Sequence, residues 1–287
     1  MAAPLFWTRL ARDRWARFGL AVVGVLALLA LLAPWLAPYD PARQSLVEKR
    51  ALPGGKYLLG ADEFGRDILS RVIYGSRVAL LVGGLSVTIA LAFGLLLGVA
   101  AGVNGGWLDA LLMRGVEILL AFPYLLLAIA IVAALGPGAL NTTLAVGIWG
   151  VPAVTRIVRG SVLALRETEY VGAARALGAP APAVLRRHIL PNVLPGLIVY
   201  ATLFMANAIL LEAALSFLGL GVQPPTASWG LMISTGRDVL LVAPHVATVP
   251  GVAIMLAVLA FNLVGDGLRD ALDPRLGGSG SSALTSP

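Results

Sequence analysis

Three carboxylates within or beside long apolar runs are the residues of this sequence that could do chemistry in a membrane. They are Glu117, Glu212 and Asp266. A charged side chain at the centre of a bilayer costs about 2.5–3.5 kcal/mol on insertion scales, so it is expected to face protein or a water-filled path. In such a place a carboxylate can relay protons or contact a polar substrate, which makes ion-coupled transport one hypothesis for this chain.

The neighbours of two of these acids suggest more specific roles. Arg114 lies three residues before Glu117 on the same helix face, so the two side chains can pair with each other. Asn207 lies a little over one helical turn before Glu212. Asn207 and Glu212 are therefore candidate pathway or gating residues. Alternatively, Glu212 anchors the end of its helix by hydrogen bonds to the following loop, and this is the role we favour.

Most other chemistries lack their residues in this sequence. The chain has no cysteine, and Gly54-Gly55-Lys56 is followed by Tyr57, so it does not form a phosphate-binding loop. Neither a Gly-x-Ser-x-Gly string nor a His-Glu-x-x-His string occurs. The sequence predicts no catalytic site, no metal site and no cofactor bound by this chain.

The composition indicates a membrane protein. Of the 287 residues, 59% are hydrophobic and only 13% are charged, and the mean hydropathy is +0.89. The net charge of +6 comes almost wholly from arginines that flank apolar runs. We therefore interpret the charge as a topology signal, and we predict no nucleic-acid binding.

Six apolar runs predict an all-α polytopic membrane protein with six transmembrane helices. Arginines before the first run place the N-terminus in the cytoplasm, and six crossings return the C-terminus there. A cleaved signal peptide is the alternative for the first run, which is overlong for that role. The predicted segments are a cytoplasmic part at 1–17, spans at 18–37, 78–103, 111–135, 140–158, 193–218 and 246–264, an outside segment at 38–77, a core domain at 78–275, and a flexible tail at 276–287.

One polar stretch, residues 166–192, separates the fourth and fifth spans on the cytoplasmic side. A helix over 166–177 is predicted to end at Gly178, since glycine ends helices without a Cβ penalty. A second short helix is predicted to follow and to be stopped by Pro191. The first helix places one set of residues on a single face that a partner could approach closely: Tyr170, Ala173, Ala174 and Leu177.

This stretch resembles the EAA loop in membrane subunits of binding-protein-dependent ABC importers. The family pattern is Glu-Ala-Ala, three residues, Gly, nine residues and Ile-x-Leu-Pro. Here Gly172-Ala173-Ala174 stands at the first three positions, Gly178 at the glycine, and His188-Ile189-Leu190-Pro191 at the end. Gly172 replaces the Glu and His188 replaces the Ile, which is similar to the oligopeptide/dipeptide/nickel branch and its C-type permeases.

A second string also resembles that branch. Its Leu-Gly-x-Asp-x-x-Gly-Arg-Asp pattern is matched here at Asp62, Gly65, Arg66 and Asp67. We interpret these residues as an ion-paired loop that stabilises the outside surface rather than as a substrate contact.

The resemblance implies a type I ABC importer permease fold with cytoplasmic coupling helices, in a bacterial inner membrane. It implies a heterodimer with a second permease, two cytoplasmic ATPase subunits that bind ATP and Mg²⁺, and an extracytoplasmic binding protein that delivers di- or oligopeptides. An ion-coupled secondary transporter is the alternative, and it would work from a proton gradient without ATPases. The ATPase-docking residues implied by the resemblance are Glu169, Tyr170, Gly172, Ala173, Ala174, Arg175, Leu177, Gly178, Arg187, His188, Leu190 and Pro191.

Overall fold

The computed structural model describes residue 10 and residues 13–272. The tail predicted at 276–287, and the first nine residues of the segment predicted at 1–17, lie outside these described residues. The described helices are α1 (Arg14–Leu31), α2 (Ala33–Leu36), α3 (Ile68–Asn104), α4 (Gly106–Leu120), α5 (Tyr124–Leu135), α6 (Ala139–Arg166), α7 (Glu169–Ala176), α8 (Ala181–Phe217), α9 (Trp229–Gly236) and α10 (His245–Leu272).

Within the described residues, five helices are long and apolar enough to cross a membrane: α1, α3, α6, α8 and α10. The third predicted span is instead a pair of helices, α4 and α5, that meet at a bend of 92°. The break comes at Pro123, which lacks the N–H that would continue the helix. Because the twelve residues of α5 rise only about 18 Å, α5 crosses a membrane only together with α4. Counted in this way, the fold has the six predicted crossings.

Two membrane helices begin earlier than the hydropathy pattern predicted. α1 begins at Arg14 rather than at residue 18. The Asp13 side chain caps this start by accepting from the Trp15 N–H at 2.8 Å. α3 begins at Ile68 rather than at residue 78, and the Asp67 side chain accepts from the Ser70 N–H at 2.8 Å. The 37 residues of α3 rise about 55 Å, so its first turns extend beyond the hydrocarbon core.

The connecting segments collect at two ends of the helix bundle. One end, which we call the 166–192 end, holds the polar stretch and the ends of α3 and α6. There the Arg166 side chain donates to the carbonyls of Gly102 and Val103, at 2.7 and 3.0 Å. The other end, which we call the 38–67 end, holds the long segment between α2 and α3. It also holds the loop after α8, whose Leu220 carbonyl accepts from the Gly138 N–H at 3.4 Å.

Close contact between α3 and α6 forms the centre of the bundle. The predicted glycine stripe of Gly94, Gly98 and Gly102 faces valines of α6 spaced four residues apart, Val154, Val158 and Val162. A Cβ at Gly98 would lie 2.6 Å from the Val158 Cβ and 2.8 Å from the Thr155 carbonyl oxygen. The two helices approach to this distance only because the stripe has no side chains.

Adding a single methyl group to this stripe should destabilise the bundle. For Gly98→Ala we expect about 1–3 kcal/mol of destabilisation, because the crowding atoms include backbone and cannot move aside cheaply. The measurement is the thermal unfolding midpoint of the purified chain in detergent. Gly84→Ala is the matched control on the same helix, since nothing lies within 4 Å of its Cβ position. Equal midpoints for the two variants would contradict the close approach.

The segment at the 38–67 end is attached to α3 by buried charges. Asp62, Arg66, Asp67 and Arg71 are all buried, and Arg71 is only 1% exposed. The Arg66 Nε lies 2.6 Å from Asp62 Oδ2, and the Arg71 Nε lies 3.6 Å from the same oxygen. Arg71 also donates to the Pro41 carbonyl at 3.0 Å, which connects α3 to the start of the segment. The predicted ion-paired loop is confirmed.

Candidate functional site

The polar stretch begins with a short helix, α7, that is set off from α6 by a break at residues 167–168. The helix predicted over 166–177 is therefore shorter, because Arg166 still belongs to α6 and α7 starts at Glu169. Gly178 ends the turn with φ +84°, a conformation that favours glycine. Its N–H donates to the Arg175 carbonyl at 2.9 Å. The predicted role of Gly178 in ending this helix is confirmed.

The prediction that Pro191 stops a second short helix is wrong. The chain stays helical from Ala181 to Phe217, and Pro191 lies inside this 37-residue helix. A π-helical turn at 185–189 precedes the proline, and the Leu190 N–H donates to the Leu185 carbonyl five residues back. This wider turn accommodates a residue that has no N–H and that would clash with the carbonyl four residues before it. The polar stretch is thus continuous with the fifth membrane crossing.

Buried aliphatic side chains attach this stretch to the bundle. Val171 on α7 and Val184 on α8 are almost completely buried and belong to the main hydrophobic core. The ring centroids of Tyr170 on α7 and His188 on α8 lie 6.3 Å apart. Asn192 donates to the His188 carbonyl at 2.7 Å and to the Tyr170 hydroxyl at 3.4 Å. The sequence patterns do not single out Val171, Val184 or Asn192. A valine on the helix face opposite a predicted contact face can nevertheless indicate where the helix packs on the core.

The tip of the stretch is exposed in the part of the chain that the structure describes. Leu177 is 88% exposed at the tip of the turn, and Tyr170 is 45% exposed beside it. Arg175 and Arg187 are also exposed on this stretch. We call Tyr170, Arg175, Leu177 and Arg187 the α7 surface. The other predicted docking residues divide into two groups. The exposed ones are Glu169, Gly172, Ala173, Gly178 and Pro191, and the half-buried ones are Ala174, His188 and Leu190.

Two arginines near the stretch have structural contacts that the sequence reading missed. Arg159 forms a bidentate ion pair with Asp109 at the start of α4, with 2.6 Å between Arg159 Nη2 and Asp109 Oδ2. Arg166 holds the end of α3, as described above. From the sequence, arginines beside apolar runs indicate only topology. The sequence signal for a partner is the lone acid Asp109 between the second and third predicted spans.

Glu212 is buried at the 38–67 end, and one of its carboxylate oxygens accepts two hydrogen bonds from its own chain. Its Oε1 accepts from the Ser216 hydroxyl at 2.7 Å and from the Ser228 hydroxyl at 2.9 Å. The Ser216 Oγ in turn accepts from the Val222 N–H at 3.0 Å. The carboxylate therefore joins the last turns of α8 to both sides of the loop that precedes α9.

Asn207 faces a different direction from Glu212. Five residues correspond to about 500° of helix rotation, so the two side chains point roughly 140° apart. Asn207 is exposed and lines a cleft of about 190 Å³ between α5, α6 and α8, together with Tyr124 and Trp149. Its amide donates to the Leu203 carbonyl at 3.0 Å. The structure thus does not bring the two predicted pathway residues into one site.

The other two acids do not join Glu212 either. Glu117 is exposed on α4 and lies 3.5 Å from Arg114, so the predicted pair is confirmed. Asp266 is exposed near the end of α10, at the 166–192 end. Because Glu212 lies at the opposite end, the three carboxylates form no continuous relay.

Comparison with known sequences identifies two matching family profiles. Residues 94–278 match the family described as "binding-protein-dependent transport system inner membrane component". Residues 4–53 match the "N-terminal TM domain of oligopeptide transport permease C". The first match contains all the helices from the glycine stripe to α10, including the α7 surface.

Several curated proteins are similar over nearly the whole chain. The di/tripeptide transport system permease protein DppC of Pseudomonas aeruginosa is 48% identical, with 94% of this chain and 91% of that protein covered. The dipeptide transport system permease protein DppC of Alkalihalophilus pseudofirmus is 46% identical, covering 93% and 88%. The glutathione transport system permease protein GsiD of Escherichia coli is 45% identical, covering 95% and 90%.

The fold also has a solved counterpart. The MetNI methionine ABC transporter in an inward-facing conformation contains a chain that matches with a TM-score of 0.56 and 20% identity. The match covers 72% of this chain and 96% of that chain, which shows the type I importer permease fold. The profile match over 94–278 and the relatives at 45–48% identity show that this multi-pass chain belongs to the family of inner membrane components of binding-protein-dependent transport systems.

Proposed function

We propose that this chain is the permease subunit of an ATP-driven ABC importer and forms half of the translocation path for di- or oligopeptides. The substrate class rests on relatives named for di/tripeptide, dipeptide and glutathione transport, since all of these substrates are short peptides. The other half of the path is formed by a second permease. An extracytoplasmic binding protein delivers the substrate, and the chain itself catalyses no reaction.

The observation that carries this proposal is the exposed Leu177 on a firmly attached turn. We place the 166–192 end in the cytoplasm with both termini, where the α7 surface docks on an ATPase subunit. Two such ATPases bind ATP and Mg²⁺ and serve the two permeases. A leucine that is 88% exposed beside Arg175 and Arg187 suits a cleft with an apolar floor and an acidic rim.

The continuous α8 helix supplies a physical route from ATPase to membrane. A displacement of α7 acts on Ala181, and from there a single helix of about 55 Å reaches Phe217 at the other end of the bundle. A helix that stopped at Pro191 would lose the movement in a flexible joint. ATP binding therefore biases the whole crossing between two arrangements, which is rigid-body switching.

The cleft with Asn207 is the proposed contribution of this chain to the path. Asn207 presents an amide to the cleft, and Tyr124 and Trp149 line it with aromatic surface. The ring centroids of Tyr124 and Trp149 lie 5.4 Å apart, and the centroids of Trp149 and Phe204 lie 5.2 Å apart. Amide and aromatic groups of this kind can hydrogen-bond and stack on peptide groups without binding any one side chain tightly.

Reconstitution tests the proposed function directly. Vesicles are prepared that contain the chain, its partner permease and the two ATPases. The binding protein is added on the extracytoplasmic side, and a labelled dipeptide is the substrate. Uptake is expected only with ATP and binding protein present. Uptake driven by a proton gradient in vesicles without ATPases would contradict the proposal and would support the ion-coupled alternative.

For Glu212 we propose the anchoring role. Glu212→Ala removes the acceptor of two buried hydroxyls, and each unsatisfied group costs about 1–3 kcal/mol. We expect a lower unfolding midpoint and faster proteolysis of the loop between α8 and α9. Glu212→Gln keeps one acceptor oxygen at the same length, so it should stay close to wild type in stability and in peptide uptake. Loss of uptake in a stable Glu212→Gln variant would indicate a pathway role instead.

A further inference from the structure

Arg77 is a cation in a membrane-crossing helix without a partner in the described chain. It lies about two and a half turns after the start of α3 and is exposed. Among described residues it forms no ion pair and no side-chain hydrogen bond, whereas Arg66 and Arg71 nearby are both paired with Asp62. Its nearest aromatic neighbour is the Tyr74 ring, 6.0 Å from the guanidinium carbon.

An apolar groove begins at Arg77. The groove has a volume of about 340 Å³ and lies between α1 and α3. Small side chains on α1 create the space, and leucines close it. Its lining residues besides Arg77 are Ala27, Ala30, Leu31, Leu80 and Leu81.

The depth of the groove follows from the helix ends. Leu31 is the last residue of α1, and the exposed Trp35 follows in α2. Tryptophan concentrates at the membrane–water interface, so Arg77 lies near the headgroups of the leaflet at the 38–67 end. Because α1 and α3 run in opposite directions here, Ala27 and Leu81 lie deeper in the membrane. The groove therefore runs from the headgroup level toward the bilayer centre.

We propose that this groove binds one phospholipid, with its phosphate on Arg77 and an acyl chain between α1 and α3. A guanidinium presents paired N–H donors that match two phosphate oxygens. The apolar walls suit a hydrocarbon chain and offer nothing to a free anion. Since α1 otherwise contacts the core along one face only, a lipid in this groove would support the attachment of the first crossing to the rest of the permease.

Native mass spectrometry of the full chain in mild detergent, titrated with phosphatidylglycerol, tests the proposal. The readout is the apparent Kd of the first lipid adduct. We expect Arg77→Gln to weaken binding at least about tenfold, Arg77→Lys to have an intermediate effect, and Ala27→Leu to weaken binding by filling the groove. Arg43→Gln, at an exposed arginine of the 38–67 segment, and Ala92→Leu, on the exposed face of α3, are the matched controls and should bind as wild type.

Two competitors of phosphatidylglycerol test the proposal on the wild-type chain, so the test does not depend on whether a variant folds. Diacylglycerol has the same acyl chains without the phosphate, and inorganic phosphate has the anion without the chains. We expect neither to displace phosphatidylglycerol at matched concentration. Displacement by inorganic phosphate would show a simple anion site, and equal binding of diacylglycerol would show that Arg77 plays no part. Either result, or an unchanged Kd in folded Arg77→Gln, would overturn the proposal.

Discussion

Leu177→Asp is expected to release the ATPase subunits and to stop peptide uptake. The side chain is 88% exposed at the tip of the α7 turn, so the substitution should disturb little packing within the described chain. In a docked complex, a carboxylate would have to be buried in the apolar floor of a cleft. If Leu177 is a hot spot of the interface, its loss costs about 2 kcal/mol or more, which corresponds to about 30-fold in affinity. The measurement is co-purification of the ATPases with the tagged chain, together with ATP-dependent uptake in vesicles.

A matched control separates docking from general damage. Leu241 is completely exposed in the loop before α10, at the 38–67 end, so Leu241→Asp makes the same chemical change away from the α7 surface. We expect Leu241→Asp to keep the ATPases at wild-type levels. Deletion of residues 172–178 should also release them. If the ATPases were retained by both Leu177→Asp and the deletion, the docking role of the α7 surface would be wrong.

Asp62→Ala should cause a large loss of stability. Asp62 is buried and shares one oxygen between the guanidinium groups of Arg66 and Arg71. Its other oxygen accepts from the N–H groups of Phe64 and Arg66, both at 2.9 Å. Removing one partner of a buried ion pair leaves an uncompensated charge and costs about 3–5 kcal/mol. The unfolding midpoint in detergent should fall sharply, and the 38–67 segment should become sensitive to protease.

Two further variants isolate the cause. Asp62→Asn keeps the acceptor for the backbone but removes the charge, so its midpoint should lie between those of wild type and Asp62→Ala. Glu48→Gln breaks an ion pair with Lys56 in the same segment, where the Lys56 hydrogen bond lowers the pKa of Glu48 to about 2. Because the Lys56 ammonium is exposed to solvent, loss of this pair should lower the midpoint much less than Asp62→Ala does. Equal effects of Glu48→Gln and Asp62→Ala would contradict the importance of burial.

Each of the two predictions concerns one end of a long membrane helix. α8 connects the α7 surface at one end with the Glu212 network at the other, and α3 connects the glycine stripe with the buried charges around Asp62. A permease that switches as rigid bodies needs such unbroken elements, because a flexible joint would absorb the displacement. The stiff connections are therefore as much a part of the proposed function as the surface that meets the ATPase.

Several features of the fold follow from local sequence patterns alone. Apolar runs of about twenty residues specify membrane helices whatever their neighbours, because unsatisfied backbone groups are too costly in lipid. The glycine stripe predicted close helix packing, and Gly178 predicted the end of α7, since both depend on local chemistry. The Arg114–Glu117 pair was also predictable, because residues three apart on a helix are always neighbours.

Tertiary structure decided what local rules could not. Whether Pro191 ends a helix depends on the turn before it, and a π-helical turn held by the packed Val184 and Ile189 lets α8 continue. Which of Glu212 and Asn207 is buried depends on which face of α8 meets the core. The partners of Asp109 and Glu212 lie 50 and 16 residues away along the chain, a distance over which hydropathy and periodicity carry no information. Only the folded packing brings such pairs together.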